Sequence, residues 1–149
     1  MLLTLTNTGS PATDLGFLLH KHPDRAQRYS LSFGTAHVFY SEAGEARCTA
    51  CLLVEVDPVE LVRGKSRASG GLLDQYVNDR PYAASSFLSV AIGQVFSTAL
   101  GGRCAARPEL PAQPLPLTVH LPVAPARGDE DLAPALFEPL GYEVDMTRL

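Results

Sequence analysis

The sequence predicts an α+β domain with a mainly antiparallel sheet, a buried central helix at about residues 84–100, and a C-terminal strand–helix–strand unit. Three observations predict this class. Short runs of alternating apolar and polar residues fill the first third of the chain, an uncharged helical pattern occupies the middle, and strand-like and helical patterns follow a proline-rich connector. The 149 residues suit one domain, and we expect residues 1–149 to form one.

The N-terminal pattern predicts a strand followed by a helix. Residues 2–6 alternate between apolar and polar side chains, as a half-buried strand does. Ser10 is a suitable N-cap and Pro11 a suitable first helical residue. The helix is expected to run through Leu19 and to end before Pro23.

Three further strand patterns follow, over residues 28–33, 37–41 and 47–56. Residues 34–35 and 42–45 suit turns between them, so an antiparallel meander is the economical arrangement. The strand 47–56 carries Cys48 and Cys51, which fit a Cys-x-x-Cys spacing. On a strand, side chains three apart point to opposite faces, which disfavours a metal or redox site.

The cysteine count also bears on the cellular compartment. Cys48, Cys51 and Cys104 make an odd number without a disulfide framework, which is typical of reduced thiols and predicts a cytoplasmic protein. The N-terminus lacks the pattern of a secretory signal, and no apolar run reaches the length of a membrane span. We therefore expect no membrane partner.

The central helix is predicted from apolar residues at helical spacing, with Ser85 or Ser86 as its N-cap. No Lys, Arg, Asp, Glu or His lies between residues 81 and 102, so the helix has no charged face and is expected to be buried on most sides. Ser89, Gly93 and Ser97 form a row of small residues that would let another backbone approach. The apolar face comprises Phe87, Leu88, Ala91, Ile92, Val95, Phe96, Ala99 and Leu100.

A polar turn precedes this helix and is the first candidate site. Asn78 and Asp79 favour a turn, and Tyr76, Arg80 and Tyr82 are residue types enriched in binding hot spots. We predict that these five residues contact a protein partner. The alternative is structural: Asp79 and Arg80 only hold the loop to the domain.

A second candidate site is basic. Arg63, Lys65 and Arg67 lie in a glycine- and serine-rich loop, and Lys21 lies near the end of the first helix. These four cations could meet RNA phosphates. A solvated linker and a solvated helix end are the alternatives, and the net charge of −4 argues against binding nucleic acid by bulk electrostatics.

The C-terminal pattern predicts a strand over residues 117–123, a helix, and a last strand over residues 142–146. Leu132, Leu136, Phe137 and Leu140 recur at helical spacing and are expected to face inward. His120 falls on the polar face of the strand. No Rossmann-type glycine turn, Gly-x-Ser-x-Gly elbow or His-Glu-x-x-His motif occurs, so we assign no catalytic, cofactor-binding or metal-binding residue.

Four runs resemble a known family: ATDLGFLLHKHPDR at 12–25, AHVFY at 36–40, QYVNDRPYAASSFLSVA at 75–91 and LFEPLGYEV at 136–144. Together they make the chain similar to the N-terminal region of the bacterial HEN-type RNA 3′-terminal ribose 2′-O-methyltransferase of RNA repair. The resemblance extends over essentially the whole chain.

The resemblance implies a function without catalysis in this part of the protein. In that family the S-adenosylmethionine loop and a Glu/His metal site belong to a downstream methyltransferase domain, and none of those motifs is present here. The resemblance also implies that the full-length protein to which this chain belongs is an S-adenosylmethionine-dependent RNA 2′-O-methyltransferase. The N-terminal region binds a polynucleotide kinase–phosphatase–ligase and switches on its ligase. In that family the N-terminal region is longer than this chain, so residues 1–149 are expected to be part of such a region. The alternative is an RNA-binding module that presents 3′ ends to the methyltransferase.

Overall fold

The computed structural model describes residues 1–58, 81–124 and 131–147. They contain a five-stranded antiparallel sheet with the order β2-β3-β4-β1-β5, which confirms both the α+β class and the predicted meander. The strands are β1 (Leu2–Asn7), β2 (Gln27–Leu31), β3 (Gly34–Ala43), β4 (Cys48–Val56) and β5 (Leu117–His120).

The strand register gives the sheet one apolar face. Leu3 is paired with Leu52, and Ala36 with Val54, so the side chains of paired residues on adjacent strands lie on the same face of the sheet. These side chains belong to the buried core. Cys48 shares this face, whereas Cys51 lies three residues on and points to the other, as predicted.

Gly34 begins β3 instead of forming a turn, which corrects the expected strand boundaries. Its φ of 148° is accessible to glycine but rare for other residues. A Cβ at this position would lie 2.1 Å from the carbonyl oxygen of Glu55 on β4. The close approach lets β3 pair with β4 from its first residue, so β3 is longer than the alternation of residues 37–41 predicts.

The helices are α1 (Asp14–Leu19), α2 (Pro81–Val95), α3 (Ser97–Leu100) and α4 (Leu132–Phe137), with 3₁₀ turns at Leu110–Ala112 and Glu138–Leu140. No helix of the described residues is long and apolar enough to cross a membrane.

The start of α1 differs from the prediction. The helix begins at Asp14, and Ser10 and Pro11 precede it as a turn rather than as its cap and first residue. The buried amide of Asn7 organises this turn, since it donates to the Ala12 carbonyl oxygen at 3.1 Å and accepts from the Gly9 backbone N–H at 2.9 Å. These bonds satisfy local backbone groups without a helical turn.

The central helix packs on the sheet by one face only. The centroids of the Phe87 and Phe33 rings lie 4.6 Å apart, and Ala91, Val95 and Phe96 are buried. α2 begins at Pro81, so Ser85 and Ser86 lie inside it and are not its N-cap. The helical path breaks at Phe96 before α3 continues.

The expectation that this helix is buried on most sides is wrong. Ser89, Gly93 and Ser97 are exposed, and a Cβ at Gly93 would meet no atom within 4 Å. Serine, glycine and glutamine residues can face solvent although they carry no charge. The absence of charged residues therefore did not require a second packed face.

The C-terminal residues form a strand and a helix but not the expected last strand. β5 pairs with β1 over four residues and ends at His120, whereas residues 142–147 have no strand pairing. The predicted strand–helix–strand unit thus lacks its final strand. The side chains of α4 that were expected to face inward are exposed.

Candidate partner-binding surface

The predicted partner-binding turn lies almost entirely outside the described residues. Tyr76, Asn78, Asp79 and Arg80 fall in the stretch between residues 58 and 81, and Tyr82 occupies the second position of α2. Contact between this turn and a protein partner stays a prediction.

Lys21 is the predicted RNA-binding cation that the structure describes, and it is held within the fold. It is 9% exposed, and its Nζ lies 5.0 Å from the centroid of the Tyr29 ring in a cation–π contact. Its backbone carbonyl accepts a hydrogen bond from the Tyr40 hydroxyl at 3.1 Å. Arg63, Lys65 and Arg67 lie outside the described residues, so RNA contact by these cations stays a prediction.

The second face of the sheet carries polar side chains that contact one another. His37 Nε2 lies 3.0 Å from Glu55 Oε2, and Arg28 donates to the Thr35 hydroxyl at 3.4 Å. An open depression of about 370 Å³ beside these groups is lined by Arg28, Thr35 and Glu55 among others. The Glu55 carboxylate and the His37 imidazole contact each other, so we interpret this face as a polar surface and not as a catalytic site.

The cysteines are buried and unpaired. Burial, followed by the nearby carboxylate of Glu42, raises the pKa of the Cys48 thiol above its ordinary value. A raised pKa keeps the thiol protonated, and the thiolate is the form that attacks or binds metal. Among the described residues, no three His, Cys, Asp or Glu side chains are grouped as metal ligands.

A different surface stands out at the C-terminal end of the described chain. Six large apolar side chains in residues 131–147 are between 48% and 72% exposed. Large contiguous apolar patches on a protein surface mark interaction sites. Leu117, Val119, Leu121 and Val123 are also exposed, but among the described residues the largest group of exposed apolar side chains lies in residues 131–147. We call this set the C-terminal apolar surface: Leu132, Leu136, Phe137, Leu140, Tyr142 and Met146.

Local interactions give this segment a defined shape. Gly141 adopts a left-handed conformation with a φ of 88°, which turns the chain back after the 3₁₀ turn. The Tyr142 backbone N–H then donates to the Phe137 carbonyl oxygen at 3.3 Å. The rings of the same two residues meet edge to face, with centroids 6.1 Å apart. The two aromatic side chains are thereby fixed relative to each other.

The polar residues around these apolar side chains carry one sign of charge. Asp131, Glu138, Glu143 and Asp145 are exposed, and residues 131–147 include no Lys, Arg or His. Within residues 131–147, exposed apolar side chains are therefore interspersed with charged side chains that are all acidic, and we call these four acids the acidic rim. This combination is suited to a partner with an apolar cleft and basic edges.

Comparison with protein families decides what kind of region this is. One family model, described as the RNA repair, ligase-Pnkp-associating region of Hen1, matches residues 1–149. The chain belongs to this family. Among curated proteins, none matches the sequence.

Membership of the Hen1 region changes how the surface is interpreted. The family is described by association with a partner in RNA repair, and the buried centre of a protein interface is more apolar than its rim. The sequence interpretation missed Leu132, Leu136, Phe137 and Leu140 as surface residues because helical spacing of apolar residues is the same for a core face and an interface face. The run of acids without a cation was the available signal.

Proposed function

We propose that this chain binds the ligase component of a polynucleotide kinase–phosphatase–ligase and activates it for RNA sealing. The single observation that carries the proposal is the match of the ligase-Pnkp-associating family along residues 1–149. The exposed apolar side chains of residues 131–147 support it, because an associating domain needs surface that a partner can bury.

Activation requires that the chain discriminate between two states of the ligase. A domain that bound the adenylated, sealing-competent state and the idle state equally well would shift nothing. A tenfold shift toward the competent state requires about 1.4 kcal/mol of differential binding. We therefore expect this chain to bind the adenylated ligase more tightly than the unmodified ligase.

The experiment is ligase adenylation in the partner enzyme, measured with and without this chain, beside a co-elution assay. Faster adenylation together with co-elution is the expected result. Co-elution without stimulation would contradict activation and leave association. No co-elution, combined with salt-dependent RNA binding by the isolated chain, would favour the RNA-binding alternative.

A further inference from the structure

We propose that the C-terminal apolar surface is the face on which the ligase partner docks, and that the partner meets it with an apolar cleft edged by Lys and Arg side chains. This inference rests on the proposed function and names the surface and the complementary chemistry.

The exposed apolar side chains supply the attraction. Leu136 and Phe137 stand side by side on α4, and Leu140 follows one turn later. All three are about half exposed or more, so a partner would remove a large apolar area from water on contact. Aromatic side chains such as Phe137 and Tyr142 are enriched at the desolvated centre of protein interfaces, and that centre is more apolar than the rest of the surface.

The segment is arranged before binding. The Ala135 backbone N–H donates to the Asp131 carbonyl oxygen at 2.9 Å, and Gly141 donates to the Glu138 carbonyl oxygen at 2.9 Å. The edge-to-face contact of Phe137 with Tyr142 links the two ends of this turn. Less conformational freedom is lost on binding when the side chains are already held in place.

The acidic rim selects the kind of partner. Two copies of this chain docked by the same surface would bring the carboxylates of Glu138 and Glu143 together, and like charges repel. RNA phosphates would meet the same repulsion. A protein surface with Lys or Arg around an apolar cleft satisfies both features of the segment. The rim therefore points to a basic protein partner rather than a second copy or a nucleic acid.

The apolar part is tested with a matched pair of variants in the full chain, titrated against the polynucleotide kinase–phosphatase–ligase itself. Leu140→Ser changes a leucine of the surface that is 72% exposed, and Leu100→Ser changes a leucine of α3 that is 66% exposed. We expect Leu140→Ser to weaken binding by about tenfold or more, and Leu100→Ser to change it by less than about twofold. Circular dichroism of both variants verifies that the fold is kept.

The acidic rim is tested by association kinetics at two salt concentrations. Glu138→Lys combined with Glu143→Lys reverses two rim charges, and Glu45→Lys is the control on the exposed β3–β4 hairpin. We expect the double variant to associate about tenfold more slowly at low salt, and the difference to shrink as salt rises. The control is expected to keep the association rate close to that of the unchanged protein.

The outcomes separate the two proposals. If the unchanged chain binds the ligase and both surface variants bind equally well, the docking surface is overturned while the proposed function stands. If the unchanged chain does not bind the ligase, both are overturned. A dimer of the isolated chain that Leu140→Ser converts to a monomer would identify a second copy as the occupant and would also overturn the inference.

Discussion

Arg107 Nη1 lies 2.9 Å from Asp14 Oδ1, in an ion pair between residues 93 positions apart in the chain. Asp14 is the first residue of α1 and its side chain is 8% exposed, whereas Arg107 is 38% exposed. The Cys104 thiol donates to the Phe17 carbonyl oxygen at 3.3 Å, and Leu110 is fully buried nearby in sequence. The connector after α3 is therefore held against α1 by an ion pair and a hydrogen bond.

The ion pair predicts a specific loss of stability. Arg107→Ala would leave the buried carboxylate of Asp14 without the cation that the structure places beside it, and an unpaired buried charge is destabilising. We expect a lower midpoint in urea unfolding. Arg103→Ala, an exposed arginine of the same connector, is the control and should leave the midpoint unchanged. Equal midpoints for the two variants would show that the pair does not hold the connector.

Replacing glycine by alanine is expected to have opposite effects on the free energy of unfolding at Gly34 and at Gly93. Gly34→Ala would place a Cβ 2.1 Å from the Glu55 carbonyl oxygen and should destabilise the protein by about 1–3 kcal/mol. Gly93→Ala meets no atom within 4 Å and should stabilise the helix by about 0.4–1 kcal/mol. Urea unfolding measures both changes in the free energy of unfolding. A neutral Gly34→Ala would contradict the close approach of β3 and β4.

Two acidic groups, the partly buried Tyr40 hydroxyl and the buried Cys48 thiol, predict a loss of stability at alkaline pH. Burial, then the nearby Cys48, raises the pKa of Tyr40 well above its ordinary value of 10.0. The pKa of Cys48 is likewise raised above its ordinary value of 9.0, first by burial and then by Glu42. Both groups stay protonated in the folded protein at pH values where the unfolded chain ionises. Their contribution to stability is therefore complete below the unfolded pKa values and is lost as pH rises toward the folded ones.

The measurement is the free energy of unfolding at about pH 7 and about pH 10.5. Tyr40→Phe should reduce the alkaline loss, at a cost of about 0.5–1.5 kcal/mol at neutral pH from the hydrogen bond to the Lys21 carbonyl. Tyr142→Phe, which changes an exposed tyrosine, should keep the alkaline loss. An unchanged pH dependence in Tyr40→Phe would remove Tyr40 as its source.

Core and surface leucines predict very different costs of truncation. Leu52 is fully buried in β4, and Leu52→Ala should cost about 2–5 kcal/mol of unfolding free energy. Leu140→Ala should cost less than about 0.5 kcal/mol, because its side chain is already in water. Thermal or urea unfolding distinguishes the two, and a large cost at Leu140 would mean that it is packed in the isolated chain.

The turn before α2 predicts a loss of partner binding that the sequence alone motivates. Arg80→Ala combined with Tyr82→Ala should weaken binding of the ligase partner without unfolding the domain. The binding titration is the same one that measures Leu140→Ser, so the two regions can be compared directly. Unchanged affinity in a folded double variant would remove this turn from the interface.

The success of the strand predictions has a local cause. A half-buried strand is predicted from apolar side chains that recur with a period of two, and residues 2–6 and 117–123 carry this pattern regardless of which strand lies beside them. The alternation correctly located β5, although all four of its residues are exposed. The errors came where a contact distant in sequence decided the outcome. The N-cap predicted at Ser10 failed because Asn7 bonds the following turn, and the turn predicted at Gly34 failed because β4 lies close enough to pair with it.

The α+β class, the meander of β2, β3 and β4, and the apolar faces of the helices could be predicted from local periodicities in the chain. The position of β1 between β4 and β5, the contact of Arg107 with Asp14, and the exposure of Leu136 and Leu140 became evident in the folded molecule alone. These features depend on contacts between distant residues, because a side chain is buried when a second surface covers it. A helix with an apolar face specifies that something should cover it, and the fold determines whether the same chain does so.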